Sequence, residues 1–206
     1  VATLAFNAFG YSFGYSPSIR HYFAPATATG DTGWNDSLSY SSPTMAGFRF
    51  GTAVTTRESA TGLSNGNNWS VGLSYSGGPL AATVVHQDVQ KDGAAAVQDT
   101  KTTQLGASYD FGVAKGFLQY GEVKNITTNN RVDITGVGVR VPVGAGAFIA
   151  QYGTHDQRVG ADRETLSLGY LHNLSRRSEL YAVVMNDKLD NLSSGGGYSV
   201  GMRHRF

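Results

Sequence analysis

The stretch Phe48-Arg49-Phe50-Gly51-Thr52-Ala53-Val54-Thr55 decides how this chain is read. In an extended strand successive side chains point to opposite faces. Phe48, Phe50, Thr52 and Val54 therefore share one side, and Arg49, Gly51, Ala53 and Thr55 the other. A period of two with one apolar and one polar side predicts a half-buried strand. The pattern returns downstream: Trp69, Val71, Leu73 and Tyr75 oppose Ser70, Gly72, Ser74 and Ser76. Likewise Leu105, Ala107 and Tyr109 oppose Gln104, Gly106, Ser108 and Asp110, and Val137, Val139 and Val141 oppose Gly138 and Arg140.

Outward from these segments the chain repeats one unit from Trp34 to Phe206: a strand of about ten residues, a break, another strand, another break. The breaks are of two kinds, and they alternate. Compact turns fall at Ser42 to Ala46, Gly77 to Pro79, Asp110 to Lys115, Pro142 to Ala145 and Leu174 to Ser178. Longer polar connections fall at 58–67, 90–100, 126–131, 156–163 and 187–196. The implied strands are 34–42, 47–57, 68–76, 80–89, 101–110, 116–125, 131–142, 146–155, 163–174, 178–187 and 197–206, eleven in all. In 116–125 and 178–187 neither parity gives a clean apolar face, which puts those two at a subunit interface or beneath a loop.

Composition narrows the class. The 206 residues are 40% hydrophobic and 15% charged, with 27 glycines, 5 prolines and a mean hydropathy of -0.22. No stretch approaches the roughly 20 apolar residues of a spanning helix. There is no cysteine, so neither a disulfide nor a Cys-based metal or redox site is available. Sixteen Lys and Arg against 15 Asp and Glu give a net charge of +1 without a basic run, so no nucleic-acid partner is expected. Polar faces of Ser, Gly, Thr and Gln suit a wet lumen better than an open surface. Sorting of connections by end suits a barrel that crosses a membrane. The expected fold class is all-β, a transmembrane antiparallel up-and-down β-barrel. A soluble β-sandwich binding module is the competing architecture.

Bacterial single-chain barrels have an even strand count with both termini on the periplasmic side. Eleven is odd, so strands are expected upstream of Val1. The N-terminus shows no basic region followed by an apolar run, so an export signal is also expected upstream or removed. Counting back from Phe206 puts the turns on the periplasmic side and the long connections, with residues 1–33, outside.

Specific stretches carry a resemblance. Tyr198-Ser-Val-Gly-Met-Arg-His-Arg-Phe206 sets Tyr198, Val200, Met202, His204 and Phe206 on one face and ends on an aromatic. It resembles the terminal strand of general bacterial outer-membrane porins. The stretches Asn35 to Phe48 and Leu174 to Tyr181 resemble a strand–turn–strand and the penultimate turn of the β-proteobacterial type. Phe9-Gly-Tyr-Ser-Phe-Gly-Tyr-Ser-Pro-Ser-Ile-Arg20 resembles that family's third loop, which folds into the lumen. In sixteen-stranded members that loop joins the fifth and sixth strands and leaves eleven after it, the number that periodicity gives independently. The resemblance makes 1–33 part of the constriction loop, with Phe9, Tyr11, Phe13, Tyr15, Arg20 and Asp31 at the eyelet. It also implies a homotrimer and barrel-assembly machinery that reads Tyr198, Met202 and Phe206. Membrane lipid and lipopolysaccharide would surround the wall.

Other patterns carry less. Gly10-Tyr-Ser12-Phe-Gly14 and Gly197-Tyr-Ser199-Val-Gly201 match a nucleophile elbow, but neither sits at a strand-to-helix turn with Asp and His following. The five histidines lack ligand spacing, so no metal or cofactor is expected. Arg49, Arg57, Arg140, Arg203 and Arg205 fall on polar faces against Asp110, while Asp31 and Asp36 lie near the eyelet. The functional expectation is a water-filled channel for small hydrophilic solutes and ions, weakly anion-selective, with no enzymatic step. The alternative is an outer-membrane barrel hydrolase.

Overall fold

In the computed structural model, residues 2–10, 14–23, 34, 37–55, 68–90 and 99–206 are described. They form one sheet of eleven antiparallel strands, each hydrogen-bonded to its neighbours in sequence. The strands are β1 Ser37–Ser41, β2 Phe48–Thr55, β3 Trp69–Gly77, β4 Leu80–Val89, β5 Thr100–Asp110 and β6 Lys115–Asn125. They continue as β7 Arg131–Val143, β8 Gly146–Gln157, β9 Arg163–Asn173, β10 Ser178–Leu189 and β11 Gly195–His204. Among the described residues β1 pairs only with β2 and β11 only with β10. The connections 58–67 and 90–100 lie almost entirely outside the described residues.

Tight turns set the register at one end of the sheet. Met45 bridges Phe48 across Ala46-Gly47, both at positive φ (51° and 86°), the signature of a type I′ hairpin whose twist matches that of the strands. At the other end β5, β8, β10 and β11 run further than periodicity predicts, while β1, β2 and β3 are shorter. β10 continues to Leu189 because Lys188 and Leu189 still pair with Glu164 and Arg163. The connections 126–130, 158–162 and 190–194 shrink accordingly, so at these hairpins the two ends differ less in loop length than the sequence suggests.

Register sorts every strand residue onto one of two faces. One face is open and apolar: Leu73 (43% exposed), Leu105 (47%), Leu118 (56%), Val137 (53%), Leu168 (46%) and Val184 (54%) lie across its middle. Aromatic rings collect toward the tight-turn end, with Phe48 on Tyr75 at 4.8 Å, Tyr109 on Phe111 at 4.7 Å and Phe148 on Tyr170 at 4.9 Å. Among the described residues open-face ion pairs occur only at the far end, such as Asp88–Lys101 and Glu122–Arg131. An apolar band bounded by aromatics on one side and charges on the other fits a bilayer core.

The opposite face is covered. A 3-10 turn, Ala2–Ala5, and a helix, α1 (Pro17–Phe23), lie across it. α1 begins where it does because Pro17 suits the first helical position and Ser16 accepts from Arg20 N at 3.0 Å. Beneath it Ile19 and Tyr22 bury against Val123, Val132 and Ile134. Ala8 and Phe9 bury against Ile149, Leu171 and Val183, with Tyr15, Phe117 and Tyr181 at the margin. Both strands without a clean apolar side are thus explained by a loop: β6 offers Phe117 and Val123 to this cover, and β10 offers Tyr181 and Val183.

If the open face meets hydrocarbon, Leu105→Arg should cost about 2–4 kcal/mol of folding stability in lipid vesicles, as for a cation near the bilayer midplane. Urea titration reads this directly. A loss below about 1 kcal/mol would contradict the assignment.

Candidate functional site

The covered face is the place where chemistry concentrates, and backbone space comes first. Gly121, Gly136 and Gly153 lie on it in β6, β7 and β8, with Gly136 directly opposite Gly153. A Cβ on Gly121 would collide with the Tyr22 hydroxyl, one on Gly136 would sit 3.1 Å from Ser18 Oγ, and one on Gly153 3.0 Å from Pro17. Missing side chains therefore make a lane for α1. A lone glycine on a polar face reads as turn or lumen. The signal is the same small residue on the same face in three successive strands.

Polar ties fix the cover on this lane. Gln119 donates its side-chain amide to the Thr3 carbonyl, the Thr3 hydroxyl donates to Gln104, and Gln151 donates to Ser18. Within the segment the Asn7 carboxamide accepts from Phe9 N at 2.9 Å and Ser16 Oγ at 3.4 Å. Tyr15 donates its hydroxyl to the Tyr198 carbonyl in β11 at 3.2 Å.

A denser network lies at the loop end. Asp187 in β10 receives Arg163 Nε at 2.9 Å, Thr165 Oγ1 at 2.6 Å and Arg20 Nη2 at 3.1 Å. Because the single Thr165 hydroxyl proton goes to Asp187, His21 Nε2, 2.9 Å from Thr165 Oγ1, must be the donor there. His21 is fully buried, with its ring 6.1 Å from that of His155 in β8. Burial first, then the neighbouring His155 and Arg163, lower the His21 pKa to about 3.

The residues singled out in the sequence fall as follows. Phe9 is 4% exposed and packs on the wall, and Tyr15 lies at the edge of the same cluster. Arg20 is tied to Asp187 and to the Gly14 carbonyl. Tyr11, Phe13, Asp31, Asp36 and Arg57 lie outside the described residues. Arg49 and Arg140 are on the covered face, opposite Ser74 and Ile149. Arg203 pairs with buried Glu179, whose other oxygen is 3.9 Å from Arg205. Tyr198, Met202 and Phe206 point from the open side, 83%, 62% and 108% exposed. Periodicity missed Glu179, Arg163, Asp187 and the meeting of two histidines. Pairing strand 178–187 with the terminal strand across the 187–196 connection puts Glu179 opposite Arg203.

Cations outnumber carboxylates on this face among the described residues: Arg20, Arg49, Lys115, Arg140, Arg163, Arg203 and Arg205 against Asp110, Glu179 and Asp187. No group of three or more His, Asp or Glu side chains with metal-binding geometry occurs among the described residues.

Comparison with known proteins agrees with this architecture. The chain is 33% identical over 204 residues to outer membrane porin protein 32 of Delftia acidovorans, across 84% of this chain and 56% of the relative. It thus spans about half the length of that relative. Among solved structures, an anion-selective porin from Comamonas acidovorans superposes with a TM-score of 0.68 at 30% identity, covering 84% of this chain and 60% of that one. OmpT, an outer-membrane protein of Vibrio cholerae, matches in fold with a TM-score of 0.66 at 13% identity, over 97% of this chain and 72% of its own. Residues 1–192 match the Gram-negative porin family, and the chain belongs to that family, as a β-barrel protein of the bacterial outer membrane.

Proposed function

We propose that the whole protein forms a water-filled channel for passive diffusion of small hydrophilic solutes and ions, with weak preference for anions and no chemical step. The observation that carries this reading is the division of faces: one side is an apolar band, the other a polar side that holds a folded segment and most of the arginines. In this reading residues 1–33 belong to the constriction loop and 34–206 to the wall, with tight turns in the periplasm and longer connections outside. Lipid and lipopolysaccharide would contact the open face, and three copies would form the working assembly.

Anion preference follows from charge. Among the described residues Arg49, Arg140 and Lys115 have no carboxylate within salt-bridge distance, whereas Arg203 and Arg205 share Glu179 and Arg20 and Arg163 share Asp187. A low-dielectric wall focuses the field of such a surplus. Exposed charges are screened beyond about 10 Å at 0.1 M salt, so the bias shrinks as salt rises. In planar bilayers under a KCl gradient, the full-length protein should give a zero-current potential of the sign set by chloride, largest at low salt. A potassium-selective potential would overturn the anion reading.

The exposed apolar side of β11, with Tyr198, Met202 and the following Phe206, is in this reading the signal that assembly machinery recognises. Removing Phe206 should leave most of the chain unfolded before the outer membrane, measured as loss of the heat-modifiable band in detergent gels. Wild-type yield from that deletion would end this part of the reading.

A further inference from the structure

Two buried imidazoles that play no part in lining a channel face each other where α1 meets the wall. His21 and His155 are 0% and 1% exposed, with ring centroids 6.1 Å apart and planes tilted by 59°. His21 Nε2 is committed to Thr165, and the Thr154 carbonyl is the one further acceptor beside its ring; neither ring nitrogen of His155 has a hydrogen-bond partner among the described residues. A protonated imidazole needs two acceptors. His21 has Thr165 and the nearby Thr154 carbonyl, whereas both ring nitrogens of His155 lack a partner.

We propose that this pair makes the docking of α1 acid-sensitive: protonation of the histidines drives the helix off the wall and lowers the channel current. The inference rests on the channel reading above and adds regulation to it.

The charged surroundings decide the direction. From α1 itself comes Arg20, from β9 Arg163 and from β10 Asp187, while β7 offers only Ile134 and Gly136 at this level. Asp187 is the carboxylate facing His21 among the described residues, and Arg163, Thr165 and Arg20 already engage it. Near His155 stand Arg163 and the carboxylates of Asp156 and Asp162. Asp156 lies one position along β8 and so on the opposite face, and Asp162 already accepts from Gln157 N at 2.7 Å. Two further positive charges would therefore join two guanidinium groups around a carboxylate that is already saturated.

The sign follows from linkage. His21 is held at about 3 when docked and would titrate near its ordinary 6.5 when free. Docking is fully favoured above roughly pH 6.5 and weakens about tenfold per pH unit as pH falls toward 3. At pH 4.5 the docking equilibrium should have dropped by about 100-fold from His21 alone. A helix that leaves the wall has only the lumen to move into, so closures become frequent and mean current falls.

The test is single-channel current of the full-length protein at pH 7.5 and 4.5, each variant judged by its own ratio. Wild type should show a clear fall at pH 4.5. His21→Gln, whose amide can still donate to Thr165, should lose most of it. His155→Gln removes the second charge and should move the midpoint of the fall to lower pH, which keeps the test decisive where His21→Gln does not assemble. A wild-type ratio near one, a fall retained in His21→Gln, or an unshifted midpoint in His155→Gln would overturn the switch. Absence of any channel at pH 7.5 would instead overturn the channel reading.

Discussion

Hydrocarbon offers no partner to a backbone N–H or C=O, so every such group at membrane depth must be satisfied within the protein. The ladder from β1 to β11, each strand paired with the next in sequence, meets that demand across nine interior strands. Once the ladder is set, period two divides the side chains, and the two faces answer to different solvents. Leu73, Leu105, Val137 and Leu168 are acceptable on the open face only because lipid can cover them. Its charges are pushed to the loop end, where Glu122, Lys124, Arg131 and Asp133 pair with one another.

The covered face departs from a simple polar lining wherever the segment lies on it. Val132, Ile134, Ile149, Leu171 and Val183 would be misplaced beside water, and all are buried against Ala8, Phe9, Ile19 and Tyr22. Burying a side chain such as Ile19 or Phe9 contributes roughly 1.5–3 kcal/mol, whereas a typical internal hydrogen bond contributes about 1 kcal/mol net. Apolar contact therefore decides that the segment docks. The polar ties through Gln119, Gln151, Thr165 and Asp187 decide where, because each finds its partner at one position along the wall.

Strand number, order and face assignment were legible from the sequence because period two is a local property: Phe48 and Arg49 declare opposite faces wherever the strand ends up. The segment resembling a constriction loop was legible as a motif, yet its contacts were not. Nothing local tells Phe9 to pack on Ile149 and Leu171, since those residues lie more than a hundred positions away. For the same reason Asp187 gave no signal until β9 and β10 brought Arg163 and Thr165 beside it and α1 brought Arg20. The strand end was misjudged at Lys188 and Leu189 because Lys188 and the following Asp190 and Asn191 read as loop, while the ladder continues regardless of polarity when a partner strand is present.

The central claim is that the segment is seated on the inner wall along the glycine lane. A disulfide tests it in a chain that has no cysteine of its own. Ser18 Oγ lies 3.1 Å from the position of a Cβ on Gly136, close to the separation between a Cβ and the far sulfur of a disulfide. In the full-length protein, Ser18→Cys combined with Gly136→Cys should oxidise to a single intramolecular bond, read as loss of both free thiols and a mobility shift reversed by reductant. Two thiols that stay free under mild oxidation, or that link only between molecules, would contradict the account.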